Sequence, residues 1–232
     1  MFTRKVTSVH SSKQQLLKAR PYQVEIANLA FHESIIAKLN TGLGKTFIAV
    51  MVIKHHLPET YRPLNQGGRR IIFITKTVHL VYQQASFLRQ QLPVHHDEIG
   101  VFHGQVAPGV WIDSWGTDIW QAQLEKHRVL VATAGVFRDV FNHRKINMRN
   151  ICLVIFDECH HADPDSKSDF VDICQHLHDF PPGKWLPDYS RGPKESMWWQ
   201  SSPFMSTTRD FLPTHEENPQ FIYYCACNFL NV

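Results

Sequence analysis

Two short words, whose Lys45 and Asp157 stand 112 residues apart, carry the strongest chemical signal in this 232-residue chain. The first is Thr41-Gly-Leu-Gly-Lys-Thr46, which follows the apolar run Ser34–Leu39 and precedes a helical pattern. Strand, glycine loop and helix in that order are the context a phosphate-binding loop demands. Gly42 and Gly44 let the backbone turn its N–H groups inward, and the N-terminus of the following helix adds partial positive charge. Asn40, Thr41, Gly42, Leu43 and Gly44 would form the cradle. Lys45 would be the point charge on the β- and γ-phosphates, and Thr46 the hydroxyl ligand of Mg²⁺. One residue departs from the wider pattern: Leu39 stands five residues before Gly44, where Gly or Ala is usual.

The second word is Asp157-Glu-Cys-His160, at the end of the apolar run Ile151–Phe156. A phosphate loop needs an acidic partner at the carboxyl end of a neighbouring buried strand, where the sheet opens onto the nucleotide. Asp157 would hold Mg²⁺, and Glu158 would orient and help deprotonate the attacking water. Alone, Asp157 could as well cap whatever follows a core strand; paired with Lys45 in one strand–helix series, it reads as half of a hydrolytic site. The pairs His55-His56, His95-His96 and His160-His161 have no Cys or His partners at zinc spacing, so surface or supporting roles are expected.

These residues need rigid elements to hold them. Continuous apolar runs at Ser34–Leu39, Arg70–Thr75, Glu98–Phe102, Val129–Ala132 and Ile151–Phe156 have the pattern of strands buried on both faces. Helices are predicted at Thr46–His56, Thr77–Gln91, Thr117–His127, Ala134–Phe141 and Ser168–His178. The expected fold is therefore α/β, a mostly parallel sheet with helices on both faces. Leu57–Gly68, with Pro58, Pro63, Gly67 and Gly68, reads as a surface loop. Three regions follow: a basic arm over 1–18, the strand–helix domain over 19–180, and an irregular tail over 181–232. The tail holds seven of the thirteen prolines and three of the six tryptophans, with no period that continues the series. Trp115 and Trp120, five residues apart, are read as packing.

Composition narrows the function classes. With 43% hydrophobic and 19% charged residues the chain is globular rather than disordered throughout. The net charge of +3 is uneven: Arg4, Lys5, Lys13, Lys18 and Arg20 stand in an acid-free start, which leaves 19 basic against 21 acidic residues elsewhere. Such a start has the composition of a transit peptide but is more often a solvated terminus. Bulk charge thus makes no case for nucleic-acid binding. Five irregularly spaced cysteines fit a reducing compartment, and no apolar run reaches the roughly 18 residues of a membrane span. A cytoplasmic location is expected, with the nucleus as the alternative.

Together, Thr41-Gly-Leu-Gly-Lys-Thr46 and Asp157-Glu-Cys-His160 resemble the motifs of superfamily 2 helicases. The flanking words Ala19-Arg-Pro-Tyr-Gln23, Phe73-Ile-Thr75 followed by Gln83-Gln84, and Val129-Leu-Val-Ala-Thr133 look closest to the Dicer-like helicase region, from about Ala19 to about Phe180. The resemblance implies a RecA-like P-loop NTPase domain that uses ATP and Mg²⁺ and works on double-stranded RNA in small-RNA silencing. It also implies that Gln23 reads the adenine edge, its amide matching one donor and one acceptor, with Arg20 and Tyr22 flanking the base. Thr75, Gln83, Thr133 and Gly135 match places where relatives touch the RNA backbone; an ordinary strand-to-helix turn is an equally good reading of them.

The chain departs from the family after the helix at Ser168–His178. The Ser/Thr-Ala-Ser/Thr word and its strand are not recognised; from Lys184 the sequence reads as a divergent or spliced replacement. A second RecA-like domain, which in the family supplies an arginine finger, and nuclease domains are not recognised either. The expected activity is ATP hydrolysis of the RNA-helicase type, with turnover by this chain alone a separate question. Two other readings stay open: an inactive nucleotide- or RNA-binding module, and a DNA-directed superfamily 2 ATPase.

Overall fold

A computed structural model describes residues 18–32, 35–39, 42–107, 110–157, 169, 173 and 220–225. Eight strands lie at β1 (Ile35–Lys38), β2 (Arg70–Thr75), β3 (Ile99–Phe102), β4 (Gln105–Ala107), β5 (Val110–Trp111), β6 (Val129–Thr133), β7 (Ile151–Asp157) and β8 (Gln220–Cys225). Five α-helices join them: α1 (Pro21–Ala30), α2 (Lys45–Thr60), α3 (Val78–Gln91), α4 (Thr117–Lys126) and α5 (Ala134–Asn142). Six strands form one sheet in the order β1-β8-β7-β2-β6-β3, every pairing parallel, and β4 and β5 make a separate antiparallel pair.

A parallel strand alternates its side chains between two covered faces, and here each face has its own core. On one side Ile71, Phe73, Val129, Val131, Leu153 and Ile155 pack with Ile26 of α1, Ile48, Val52 and Ile53 of α2, and Val81 and Leu88 of α3. On the other, Ile72, Ile74, Leu130, Ala132, Val154 and Phe156 meet Trp120 and Leu124 of α4 and Phe137 and Val140 of α5. The expected α/β sandwich of helix, sheet and helix is therefore present. Trp120 is buried between the rings of Phe102 and Phe137, as a packing residue should be.

Two elements correct the sequence reading. The helix after the glycine loop runs four residues past His56, through Pro58 to Thr60. Leu57 and Thr60 are buried there, and the Thr60 hydroxyl donates to the Leu57 carbonyl, so packing carries the helix into a stretch whose prolines suggest a loop. The second correction concerns the tail. Residues 181–232 read as irregular, yet 220–225 supply β8, which lies between β1 and β7. The run Gln-Phe-Ile-Tyr-Tyr-Cys is β-branched and aromatic, the composition a strand favours. The sheet thus extends beyond the 19–180 range read as the domain. Of the helix expected at Ser168–His178, only Asp169 and Ile173 are described, both helical; the arm over 1–17 lies outside the described residues.

Candidate functional site

Because every strand of the main sheet runs the same way, all strand carboxyl ends lie on one rim. β1 delivers the glycine loop there, β7 delivers Asp157, β2 delivers Thr75 and β6 delivers Thr133. β1 and β7 are not neighbours: β8 separates them, with Lys38 level with Cys225 and Asp157 level with Tyr224. The acidic partner therefore stands two strand spacings from the loop, about 10 Å, rather than on the adjacent strand that the sequence pattern suggests.

The loop has the backbone a phosphate cradle needs. Gly42 and Gly44 sit at φ +84° and +76°, where an L side chain is strained. Lys45 opens α2, and its Nζ donates to the Leu39 carbonyl at 3.2 Å. Leu39, the residue that departs from the usual small one, is buried in the core beneath the loop. Thr46 is half-buried in the first turn of α2. Asn40, Thr41 and Glu158 lie outside the described residues, as does His160.

Arg20, Tyr22 and Gln23 gather on this loop. The Tyr22 hydroxyl donates to the Leu43 carbonyl at 2.8 Å, and Arg20 Nη1 donates to that hydroxyl at 3.3 Å. Gln23 is buried; its Nε2 donates to the Leu43 carbonyl at 3.0 Å, and its Oε1 accepts from the Arg20 N–H at 2.9 Å. Both halves of the amide that were expected to read adenine are thus engaged within the protein, tying α1 to the glycine loop.

Asp157 is buried at the end of β7, where Gln84 Nε2 donates to its Oδ2 at 2.9 Å. The sequence pattern pointed to Gln83, which is exposed on α3, and missed Gln84 as a site residue. A signal was available: Val81, Gln84, Ala85 and Leu88 repeat at helical spacing, and Gln84 is the polar member of that buried stripe.

The remaining residues expected at RNA are placed unequally. Thr75 and Thr133 are level with each other on neighbouring strands of the rim. Thr75 is fully buried and its hydroxyl donates to the Thr77 carbonyl, so the solvent-facing groups there are Lys76, Thr77 and Val78. Thr133 and Gly135 are half-buried at the start of α5. A Cβ on Gly135 would come within 2.9 Å of Asp169 Oδ2, and Arg138 of the same helix pairs with that carboxylate. The fold also assembles a group the spacing did not foretell: His56, Glu59 and Cys152. His56 Nδ1 and Glu59 Oε1 are 2.8 Å apart, Arg69 pairs with Glu59, and the Cys152 thiol, pushed up by burial, donates to the Arg70 carbonyl.

A parallel sheet with a glycine loop opening a helix on one rim, and a buried aspartate on the same rim with one strand between, defines a RecA-like nucleotide-binding domain. The DEAD/DEAH box helicase family model matches residues 20–191, and the chain belongs to that family. Within it the chain resembles the Dicer enzymes. It is 38% identical over 149 residues to endoribonuclease dcr-1 of Caenorhabditis elegans, covering 64% of this chain and 7% of that protein. It is 34% identical over 157 residues to endoribonuclease Dicer of Gallus gallus, covering 67% and 8%, and 36% identical over 147 residues to Dicer homolog 1 of Arabidopsis thaliana, covering 62% and 7%. The chain thus spans less than a tenth of the length of these relatives. The Hef helicase domain of Pyrococcus furiosus shares the fold at a TM-score of 0.58 and 20% identity, over 93% of this chain and 34% of that one. Family members use ATP with Mg²⁺. No helix among the described residues is long and apolar enough to cross a membrane.

Proposed function

We propose that this chain is the ATP-binding RecA-like domain of a Dicer-like helicase whose ATPase acts on double-stranded RNA in small-RNA silencing. The observation that carries the reading is one rim holding Gly42 and Gly44 at positive φ, Lys45 at the start of α2 and buried Asp157 two strand spacings away, across β8. The donor set suits a magnesium nucleotide, since a carboxylate and a hydroxyl are the hard oxygens that ion takes. Thr46 and Asp157 would hold it, and a magnesium ion bound there supplies charge to screen the β- and γ-phosphates. Lys45 leaves the Leu39 carbonyl for the phosphates, and the loop N–H groups take the oxygens between them. Glu158 orients the attacking water and accepts its proton. Gln23, to reach an adenine edge, has to release the Leu43 carbonyl, so nucleotide binding and the hold of α1 on the loop compete. On the same reading the protein works in the cytoplasm or nucleus.

The test is ATP turnover by the full chain with and without duplex RNA, beside a direct nucleotide titration. We expect magnesium-dependent turnover that duplex RNA raises and that Lys45→Ala or Glu158→Gln removes. Binding that Lys45→Ala weakens, with no turnover in any protein, would identify a nucleotide-binding module instead. Equal stimulation by duplex DNA would turn the reading to a DNA-directed ATPase. Equal nucleotide binding in wild type and Lys45→Ala would overturn the nucleotide site itself.

A further inference from the structure

The Gln84–Asp157 hydrogen bond lies between two buried side chains from elements 73 residues apart in sequence. A buried carboxylate without partners is costly, and the partner type decides what the carboxylate can still do. An arginine or lysine would neutralise Asp157 and compete with a cation for it. A glutamine amide orients the carboxylate through a neutral donor and adds no positive charge to compete with a divalent ion. Val81, Ala85 and Leu88 are buried along the same stretch of α3 as Gln84.

We propose that Gln84 is a positioning residue for Asp157: it sets the orientation in which that carboxylate meets magnesium. This rests on the magnesium–nucleotide reading above and adds to it a residue outside both sequence words. It also gives α3 a part in the site. The helix begins at Val78, three residues after the end of β2, and its exposed first residues lie on the rim where the RNA backbone was expected. Gln84 is about 10 Å further along the axis, two turns in. One helix therefore carries both the exposed residues on that rim and the donor to Asp157.

The experiment titrates the full chain with a fluorescent ATP analogue, in EDTA and across a magnesium series, for wild type, Gln84→Met, Asp157→Asn and the double variant. Met keeps the length of the side chain and removes the donor. Partners that orient metal-binding side chains are worth about 10- to 100-fold in metal affinity. Gln84→Met should therefore raise the half-saturating magnesium about tenfold or more, with a smaller change in the affinity measured in EDTA. In the Asp157→Asn background the same substitution should leave the magnesium dependence where Asp157→Asn alone puts it, because the effect passes through that carboxylate. Should Gln84→Met fail to fold, as judged by its melting transition in EDTA, Gln84→Asn keeps the amide but withdraws it by one methylene, and a several-fold rise is expected.

Unchanged half-saturating magnesium in a folded Gln84 variant overturns the proposal, as does a full effect of Gln84→Met in the Asp157→Asn background. Loss of stability with the magnesium dependence intact would make Gln84 structural only, and also overturns it. Wild-type nucleotide binding that neither magnesium nor Lys45→Ala alters is a different result: it removes the nucleotide reading, and this proposal with it.

Discussion

Gly44 shows how closely the nucleotide loop is fitted to its surroundings. Its φ of +76° is left-handed, and a Cβ there would lie 2.4 Å from Gln23 Nε2. Gly42 has a similar φ, but a Cβ on it meets nothing within 4 Å. Alanine at either position bears the left-handed penalty, about 1–2 kcal/mol; at Gly44 it also has to displace a buried amide that bonds Leu43 and Arg20. Gly44→Ala should thus destabilise more than Gly42→Ala, and urea unfolding of the two variants side by side measures the difference. Equal unfolding midpoints would mean that Gln23 moves away at no cost. The glycines were legible in the sequence because the loop needs them whatever surrounds it. The Gln23–Gly44 approach was not, since it depends on how α1 docks 20 residues away, and no local pattern encodes that.

At the scale of elements, the strands were readable in proportion to their burial. β2 and β7, buried along their whole lengths, match the apolar runs to within a residue. The helices of the strand–helix series were found by their period, and α2 was misjudged only at Pro58, where packing of Leu57 and Thr60 overrides a local breaker. The β4–β5 pair has three residues on one side and two on the other, too short for any periodicity to register. β8 escaped for another reason. Its six residues are strand-like, but they follow a proline-rich stretch that gives no period to extend. A central parallel strand draws its stability from pairing on both sides, which sequence position does not reveal. That position gives β8 a testable weight: Ile222 is level with Ile35 of β1 and with Ile155 of β7. Ile222→Pro removes an N–H from the middle of the ladder and leaves an acceptor unpaired, at about 1–3 kcal/mol. We expect a lower melting temperature and weaker nucleotide binding together, because β8 alone spaces the Lys45 loop from Asp157. A variant that melts and binds as wild type would show that the rim is held without β8.

At the scale of the whole molecule, exposed His55 and buried His127 tie stability to pH. His55 stacks on Phe31 at 4.2 Å and has His32, His56 and Glu59 around it. Partial desolvation first, then the neighbouring histidines, hold its pKa below the ordinary value of 6.5. His127, packed on Phe102 and bonded through Nδ1 to the Gln123 carbonyl, is also lowered, chiefly by burial. A lowered histidine takes its proton more readily in the unfolded chain. As pH falls through 6.5, the unfolded state binds protons that the folded state refuses, and stability declines until the folded values are passed. Glu59 adds a second fall at lower pH: the hydrogen bond from His56 depresses its pKa, so its contribution is present above 4.5 and is lost as pH drops through the folded value. Both effects have the same sign, and the chain should unfold at progressively lower denaturant between pH 7.5 and pH 5, then more steeply below 4.5. The double variant His55→Asn, His127→Asn should lose much of the slope between pH 7 and 5 whatever its absolute stability, because asparagine takes no proton. A double variant with the wild-type slope would assign that dependence to other groups, and the slope, rather than the midpoint at any single pH, is the quantity to compare.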